Sequence, residues 1–220
     1  MRPLALGFSY RRALLDDELR RLAPSLAGLV IDVGGRRPAR GAFTAPVGQT
    51  KKWIVVNIAP SEQPDVVGDA ARLPMRAGTA DWVLCLEVLQ YVERPESVVA
   101  EIARVLAPGG RAVLAAPFLH RADGPTDRHR FTAVRLIELV GQAGLAIAHI
   151  APQGAFFTTV ANFLRQAAAH IRRPAARYPI GSLVMPLGWL LRRADRLPGV
   201  SGSAFLGSFT TGFVVVARKP

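Results

Sequence analysis

The sequence is poor in cysteine, in acidic residues and in long apolar runs. Its single cysteine, Cys85, excludes an internal disulfide and a zinc site built from cysteine pairs, so we expect neither a disulfide nor a metal. The N-terminal segment meets charged residues too early for a signal-peptide core, and no run reaches the roughly 20 apolar residues of a spanning helix. We therefore expect a cytoplasmic protein that is not integral to a membrane.

Acidic residues are outnumbered throughout, with 16 Asp and Glu against 28 Lys and Arg, for a net charge of +12. The imbalance is strongest in residues 153–220, where Asp195 is the single acidic residue. No RNA-binding module is recognisable there, and the arginines alternate with Leu, Trp and Phe. We therefore do not expect nucleic acid as the partner of this basic segment.

Apolar runs alternate with helical patterns along a chain that is half hydrophobic and 220 residues long, which is typical of one domain spanning residues 1–220. Runs rich in β-branched residues predict buried parallel strands at 27–33, 53–58, 80–88 and 111–118. Pro95 and Gly109 bracket a helix between the last two strands, and Thr132 and Gly144 bracket another. A strand follows the second helix, and a late strand ends the chain. The alternation predicts an α/β fold with a doubly wound, mostly parallel sheet.

Polar side chains collect where the predicted strands end. Asp32, Asn57 and Glu87 close three strands, and Asp69 follows in a loop. Ligands of doubly wound sheets bind at the carboxyl ends of the strands. The sequence therefore predicts a ligand site at this edge.

The glycine turn after the first strand departs from the dinucleotide-binding pattern. Gly34 and Gly35 are present, but Arg36 and Pro38 stand where a G-x-G-x-x-G loop would continue. The carboxylate of Asp32 would be poorly placed beside a pyrophosphate and well placed near an ammonium or hydroxyl group. This favours a cationic cofactor without phosphate, such as S-adenosylmethionine (SAM).

Several motifs between residues 28 and 145 resemble, in order and spacing, the class I SAM-dependent methyltransferases, in particular the small methyltransferase-domain (type 11-like) family. They are IDVGG, VVNI, PDVVGDAARLP, ADWVLCLEVLQYV, EIARVLAPGGR and PFLHRADGPTDRHRFT. The resemblance implies a Rossmann-like seven-stranded sheet. The segment before the last strand, about 153–207, is longer than a hairpin connection requires and predicts a basic, apolar helical insertion.

The resemblance also implies a SAM site at the strand ends. Asn57 would contact the ribose, and Asp69 and Ala70 would contact the adenine edge. The methionine part would be bound by the remaining five residues, Asp32, Gly34, Gly35, Leu86 and Glu87. An acidic residue is usual at the ribose position, and Gln90-Tyr91 stands where related sequences often have Glu-His. Since asparagine offers a neutral acceptor, we expect SAM binding weakened by about 1 kcal/mol and tightened again by Asn57→Asp.

His120 and Asp127 are the candidate catalytic residues, because a hydroxyl acceptor benefits from a base and both follow a strand that ends at the predicted pocket. Two structural interpretations stay open. His120 would then be a loop histidine bonded to a backbone carbonyl, and Asp127 would pair with Arg130 to fix the loop. His149 and His170 are interpreted as structural.

The predicted activity is methyl transfer from SAM to a small-molecule, glycan or lipid-linked acceptor, with oxygen as the favoured atom. A non-catalytic adaptor on a methyltransferase fold and an RNA methyltransferase are the alternatives. Saturable SAM binding with turnover separates the enzymes from the adaptor, and sensitivity to ribonuclease separates the RNA enzyme from the small-molecule enzyme.

The insertion carries an apolar helical stripe made of Val160, Phe163, Leu164, Ala167 and Ile171. A second apolar segment ends in Arg192, Arg193 and Arg196, next to Trp189. One interpretation is a lid whose stripes pack on the domain while the arginines face solvent. The other is peripheral contact with an anionic membrane at its inner surface, or with a lipid-linked substrate.

Overall fold

Seven strands form one sheet in the computed structural model, which describes residues 9–37, 42–43 and 50–220. The strands are β1 Gly28–Val33, β2 Thr50–Asn57, β3 Val66–Val67, β4 Ala80–Leu86, β5 Leu106–Pro117, β6 Ala146–Pro152 and β7 Gly212–Arg218. Their spatial order is β3-β2-β1-β4-β5-β7-β6, with β7 antiparallel to both neighbours and every other pairing parallel. The predicted Rossmann-like, mostly parallel sheet is confirmed.

The helices are α1 Tyr10–Leu22, α2 Pro95–Val105, α3 Ala133–Gln142, α4 Phe156–Ala169, α5 Pro174–Ala194, α6 Pro198–Ser201 and α7 Ala204–Gly207. Two short 3-10 turns cover Ala23–Ser25 and Pro60–Glu62. No helix among the described residues combines the length and apolarity that crossing a membrane requires.

Helices α2 and α3 cover one face of the sheet. Ile102 and Leu136 are fully buried there against β-strand residues such as Val83. The helix starts agree with the prediction, since α2 begins at Pro95 and the hydroxyl of Thr132 caps α3 by accepting from the Arg135 amide. The predicted stop at Gly109 was wrong: α2 ends at Val105 and β5 starts at once, because this part of the chain bonds to the end of β7.

Helix α1 covers the other face of the sheet, and this helix was not predicted from the sequence. Its residues Leu15 and Leu19 are buried against Val30 and Leu84 of the sheet, and Ser9 caps its first turn. Charged side chains at seven of its 13 positions obscure this narrow apolar stripe. Between β1 and β2 the described residues, 34–37 and 42–43, are not helical.

The insertion before β7 is helical, as expected, but its apolar stripes do not face the domain. Phe163 and Leu164 of α4 are exposed, while Asn162 and Arg165 on the opposite side are buried against α1. Helices α4 and α5 pack against each other. The carboxylate of Asp195 caps α4 by accepting from the amides of Ala155, Phe157 and Thr158.

Candidate functional site

A cleft of about 1280 Å³ opens at the carboxyl ends of β1, β2 and β4. In the sheet, β1 lies between β2, which is the next strand along the chain, and β4. Such a reversal of strand order leaves a crevice between the loops that leave the strands. The eight residues predicted to bind the cofactor all line the cleft: Asp32, Gly34, Gly35, Asn57, Asp69, Ala70, Leu86 and Glu87.

The Gly34-Gly35 turn is part of the lining of the cleft. Gly34 has a φ of +73° and donates from its amide to the carbonyl of Val56 over 2.7 Å. A Cβ atom on Gly34 would lie 2.2 Å from a methyl of Val88, and one on Gly35 would lie 2.5 Å from the carboxyl of Asp32. Both positions therefore require glycine, and the backbone itself forms the surface offered to a ligand. Pro38 lies outside the described residues.

Asp32 places a carboxyl group in the wall of the cleft, beneath the glycine turn. Burial raises its pKa from 3.8 to about 6, although the indole of Trp53 and the charges of Arg12 and Arg37 oppose the rise. The group is therefore ionised at neutral pH at a cost in solvation. A ligand cation or hydroxyl in the cleft would relieve that cost.

Asn57 uses its side chain to hold the glycine turn. Its Nδ2 donates to the carbonyl of Gly35 over 2.7 Å, and its Oδ1 accepts from the amide of Ala59 over 3.0 Å. An aspartate here would lose the donor and set a carboxylate against the Gly35 carbonyl. The expectation that Asn57→Asp tightens SAM binding therefore has no support in this geometry, because the neutral amide is part of the turn.

Asp69 forms a local turn at the rim of the cleft, with its Oδ1 accepting from the Ala71 amide over 2.9 Å. Ile58 also lines the cleft and is 70% exposed. An exposed apolar side chain and a carboxylate acceptor in one cleft suit a purine ring with its exocyclic amine.

Glu87 stands at the end of β4 with a φ of +62°, a conformation that non-glycine residues adopt rarely and mostly at functional sites. Its carboxylate forms an ion pair with Arg11 of α1, and both side chains are largely buried. Arg11 lines the cleft and was missed by the sequence reading, because the helix that carries it was missed.

Asp127 does not line the cleft, and three hydrogen bonds within its own loop hold its carboxylate. Arg130 donates to both of its carboxylate oxygens over 2.6 Å, and the amide of Asp123 donates to one of them over 2.7 Å. These donors lower the pKa of Asp127, led by the Arg130 hydrogen bonds. The geometry agrees with the interpretation that Asp127 fixes the loop.

His120 also lies outside the lining of the cleft. Burial lowers its pKa to about 4, with further lowering by Arg11, Arg121 and Arg130. Its Nδ1 is buried without a hydrogen-bond partner, so the expected bond to a backbone carbonyl is not made by that atom. A histidine of this pKa is neutral at pH 7 but a weak base.

The other polar residues that line the cleft include Tyr91 and Asp123. The Tyr91 hydroxyl donates to Asp123 Oδ2 over 2.8 Å. Burial, followed by the neighbouring carboxylate, raises the pKa of the tyrosine, while the tyrosine hydrogen bond lowers the pKa of Asp123. The sequence showed both residues in the matching motifs, but not that they meet across 32 positions.

No residue of the insertion is among the described residues that line this cleft. Arg192 packs over the ring of Tyr10 at 4.8 Å, and Arg193 packs over Trp189 at 4.6 Å. The interpretation of the insertion as a lid over the cleft therefore has no support in the structure. Arg192 serves the packing of α5 on α1. The described residues include no cluster of three or more acidic, histidine or cysteine side chains able to hold a metal.

Comparison with known proteins places this fold and cleft in context. Residues 47–114 match the family model described as a methyltransferase domain. A 60-residue stretch is 40% identical to norajmaline N-methyltransferase of Rauvolfia serpentina, which is 27% of this chain and 20% of that enzyme. The chain thus matches about a fifth of the length of that curated relative.

Solved structures match over nearly the whole chain at low identity. A candidate methyltransferase from Bacillus halodurans aligns with a TM-score of 0.61 and 14% identity, covering 93% of this chain and 98% of that one. The [4+2]-cyclase SpnF aligns with a TM-score of 0.60 and 19% identity, covering 94% and 80%. A SAM-dependent methyltransferase from Archaeoglobus fulgidus aligns with a TM-score of 0.56 and 14% identity, covering 94% of each chain. The resemblance predicted from the sequence motifs is confirmed: residues 47–114 match a methyltransferase domain, and the fold of the chain is similar to that of solved SAM-dependent methyltransferases.

Proposed function

We propose that the protein binds SAM in the cleft and transfers its methyl group to a small-molecule acceptor. The observation that carries the proposal is the convergence of all eight predicted cofactor residues on one cleft in a methyltransferase-domain fold. Structures of similar fold have been solved with this cofactor or its demethylated product bound, among them a phosphoethanolamine N-methyltransferase of Haemonchus contortus.

The chain's own groups fit such a cofactor. Asp32 and Glu87 offer carboxylates to its ammonium and hydroxyl groups, and the glycine turn offers bare backbone at the same place. Asp69 and Ile58 offer an acceptor and an apolar surface to the adenine. When bound, SAM supplies an activated methyl group on a sulfonium, so the protein needs chiefly to orient the acceptor and exclude water.

The acceptor lies on the side of Tyr91 and Asp123 in this proposal, since both face the cleft beyond Glu87. We predicted oxygen as the acceptor atom on the strength of His120 and Asp127, and neither side chain lines the cleft. The Tyr91-Asp123 pair can accept a hydrogen bond from either a hydroxyl or an amine. Several relatives are named as N-methyltransferases, so the acceptor screen includes both classes.

Isothermal titration with SAM and S-adenosylhomocysteine tests the proposal directly. Wild type should bind both, and Asp32→Asn should weaken both, because the ammonium and hydroxyl groups that Asp32 would contact are present in SAM and in S-adenosylhomocysteine. Asp17→Asn is the matched control, since its carboxylate is exposed on α1 and pairs with Arg20. No measurable binding by wild type would refute the proposal.

The non-catalytic alternative keeps one supporting observation. SpnF, a cyclase by name, shares this fold, so the fold alone does not establish methyl transfer. Binding of SAM without turnover over a panel of hydroxyl and amine acceptors would favour that alternative. An activity lost on ribonuclease treatment would favour the RNA enzyme. We keep the cytoplasm as the proposed location, and a lipid-linked acceptor would require the protein to meet a membrane.

A further inference from the structure

Helix α5 turns small residues toward the protein and large apolar residues toward solvent, the reverse of the usual arrangement. The residues that it turns toward the protein include Gly181 and Gly188, and a Cβ on Gly188 would lie 2.5 Å from the Tyr10 hydroxyl. Its large apolar side chains face solvent instead. They are Ile180, Leu183, Leu187 and Leu190, at spacings of three and four residues, together with Trp189.

This outward stripe is too exposed to be explained by packing within the chain. Leu183 is 71% exposed and Leu190 56% exposed, and Leu197, just beyond the end of the helix, is 57% exposed. Helix α4 likewise exposes Phe163 and Leu164. Exposed apolar surface of this extent on a soluble domain marks an interaction site more often than a solvent face.

Positive charge flanks the stripe at both ends. Arg172 and Arg173 are exposed before α5, and Arg193 and Arg196 are exposed where it ends. The one acidic residue of the segment, Asp195, is occupied in capping α4 and faces the amides of that helix. The surface therefore combines apolar side chains with cations that no acidic neighbour from the insertion neutralises.

We propose that the α5 stripe is a peripheral binding surface for anionic lipid membranes, with its leucines and Trp189 entering the headgroup boundary and the flanking arginines binding phosphate. An amphipathic helix of this composition lies in the plane of the interface, and arginine side chains reach the headgroups while their stems remain among apolar groups. A second copy of the chain fits less well. Two stripes packed together would bring arginines of like charge against each other in either orientation.

The proposal is independent of the cleft, so it can fail while SAM binding stands. It changes the set of arginines predicted from the sequence to bind the membrane. Arg192 packs over Tyr10, so the exposed Arg173, Arg193 and Arg196 supply the positive charge instead. A membrane contact here would leave the cleft open to the cytoplasm or to a lipid-linked acceptor.

Vesicle sedimentation of the full chain tests the surface. Wild type should pellet with vesicles of 30% phosphatidylglycerol in phosphatidylcholine, fail to pellet with pure phosphatidylcholine, and bind less in 0.5 M salt. Leu183→Ser with Leu190→Ser should reduce the partition coefficient by about 100-fold, since each buried leucine contributes about ten-fold. Arg193→Glu with Arg196→Glu should reduce it by at least about 25-fold, at roughly five-fold for each arginine.

The matched controls test whether vesicle binding depends on this surface or only on exposed apolar side chains and net charge anywhere on the protein. Val134→Ser with Ile137→Ser removes two exposed apolar side chains from α3, and Arg76→Glu with Arg128→Glu changes the net charge by the same amount elsewhere. Both should bind as wild type does. Circular dichroism of each variant checks folding, which the exposure of the altered side chains should leave unchanged.

Brominated lipid provides a second readout. Trp82 is buried and Trp53 lies in the cleft, so quenching of fluorescence by brominated anionic vesicles should be lost in Trp189→Phe. The proposal is overturned if wild type does not pellet, if the leucine variant pellets as wild type does, or if the charge control loses binding equally. Absence of pelleting combined with a dimer that the leucine variant loses would assign the stripe to a second copy of this chain.

Discussion

Replacing Asp32 by asparagine should stabilise the unliganded protein while weakening SAM binding. The carboxyl group lies in the wall of the cleft, where burial raises its pKa from 3.8 to about 6. Asparagine has the same shape, can still accept from the Trp53 indole, and needs no charge in that position. The substitution therefore removes a cost of solvation without opening a cavity.

The size of the effect follows from the pKa. One pKa unit corresponds to about 1.4 kcal/mol, so a carboxyl of pKa about 6 in the folded chain and 3.8 in the unfolded chain costs at most about 3 kcal/mol above pH 7. Water in the cleft reaches Asp32 and reduces this ceiling. For a chain of this length, each kcal/mol shifts the melting temperature by about 2–4 °C.

The raised pKa determines whether the stability difference between wild type and variant grows or shrinks with pH. Because the pKa is raised on folding, the wild-type group is neutral in the folded chain and ionised in the unfolded chain between about pH 4 and 6. Wild type therefore loses stability relative to the variant as pH rises through that window, and the difference is constant above pH 7.

Urea unfolding of both proteins at pH 5, 6, 7 and 8 measures the difference, and titration with SAM at pH 7.5 measures the affinity. We expect the advantage of the variant to grow by about 1 kcal/mol from pH 5 to 8, and its SAM affinity to fall at least ten-fold. A stability difference that does not change with pH would refute the assigned burial cost, and unchanged SAM affinity would refute the placement of Asp32 at the cofactor.

Three further substitutions test the site. Asn57→Asp should weaken SAM binding about ten-fold in calorimetry, because the donor to the Gly35 carbonyl is lost; tighter binding would restore the ribose-acceptor interpretation. Gly34→Ala should lower the free energy of unfolding by about 2 kcal/mol in urea, owing to its positive φ and the contact with Val88, and an unchanged midpoint would contradict this geometry. Asp127→Asn should reduce kcat without changing the SAM dissociation constant, because it fixes the loop without lining the cleft; an equal change in both would place it at the cofactor.

Local pattern was sufficient for most of the sheet and for the residues at its edge. Strand runs such as 80–88 and the cap at Thr132 depend on neighbours within a few positions, which the sequence displays directly. The eight cofactor candidates could be named for the same reason, since residues at the ends of parallel strands share one edge whatever the loops do. Their proposed contacts with SAM stay predictions.

Pairings between distant parts of the chain could not be read in the same way. Arg11 meets Glu87 across 76 positions, and Tyr10 donates from its amide to Asn162 across 152. The loop after β5 contains two aspartates, and which of them faces the cleft, Asp123 or Asp127, depends on how that loop folds.

By itself the sequence determined the α/β alternation, the glycine turn with its buried acid, and the concentration of positive charge near the C-terminus. Each follows from backbone geometry or composition, which act over short distances. The tertiary structure alone decided which way the insertion helices face. An apolar stripe on a helix has the same sequence whether it packs on the protein or faces solvent, and here Gly188 against Tyr10 and Asn162 against α1 turn the apolar sides of α4 and α5 outward.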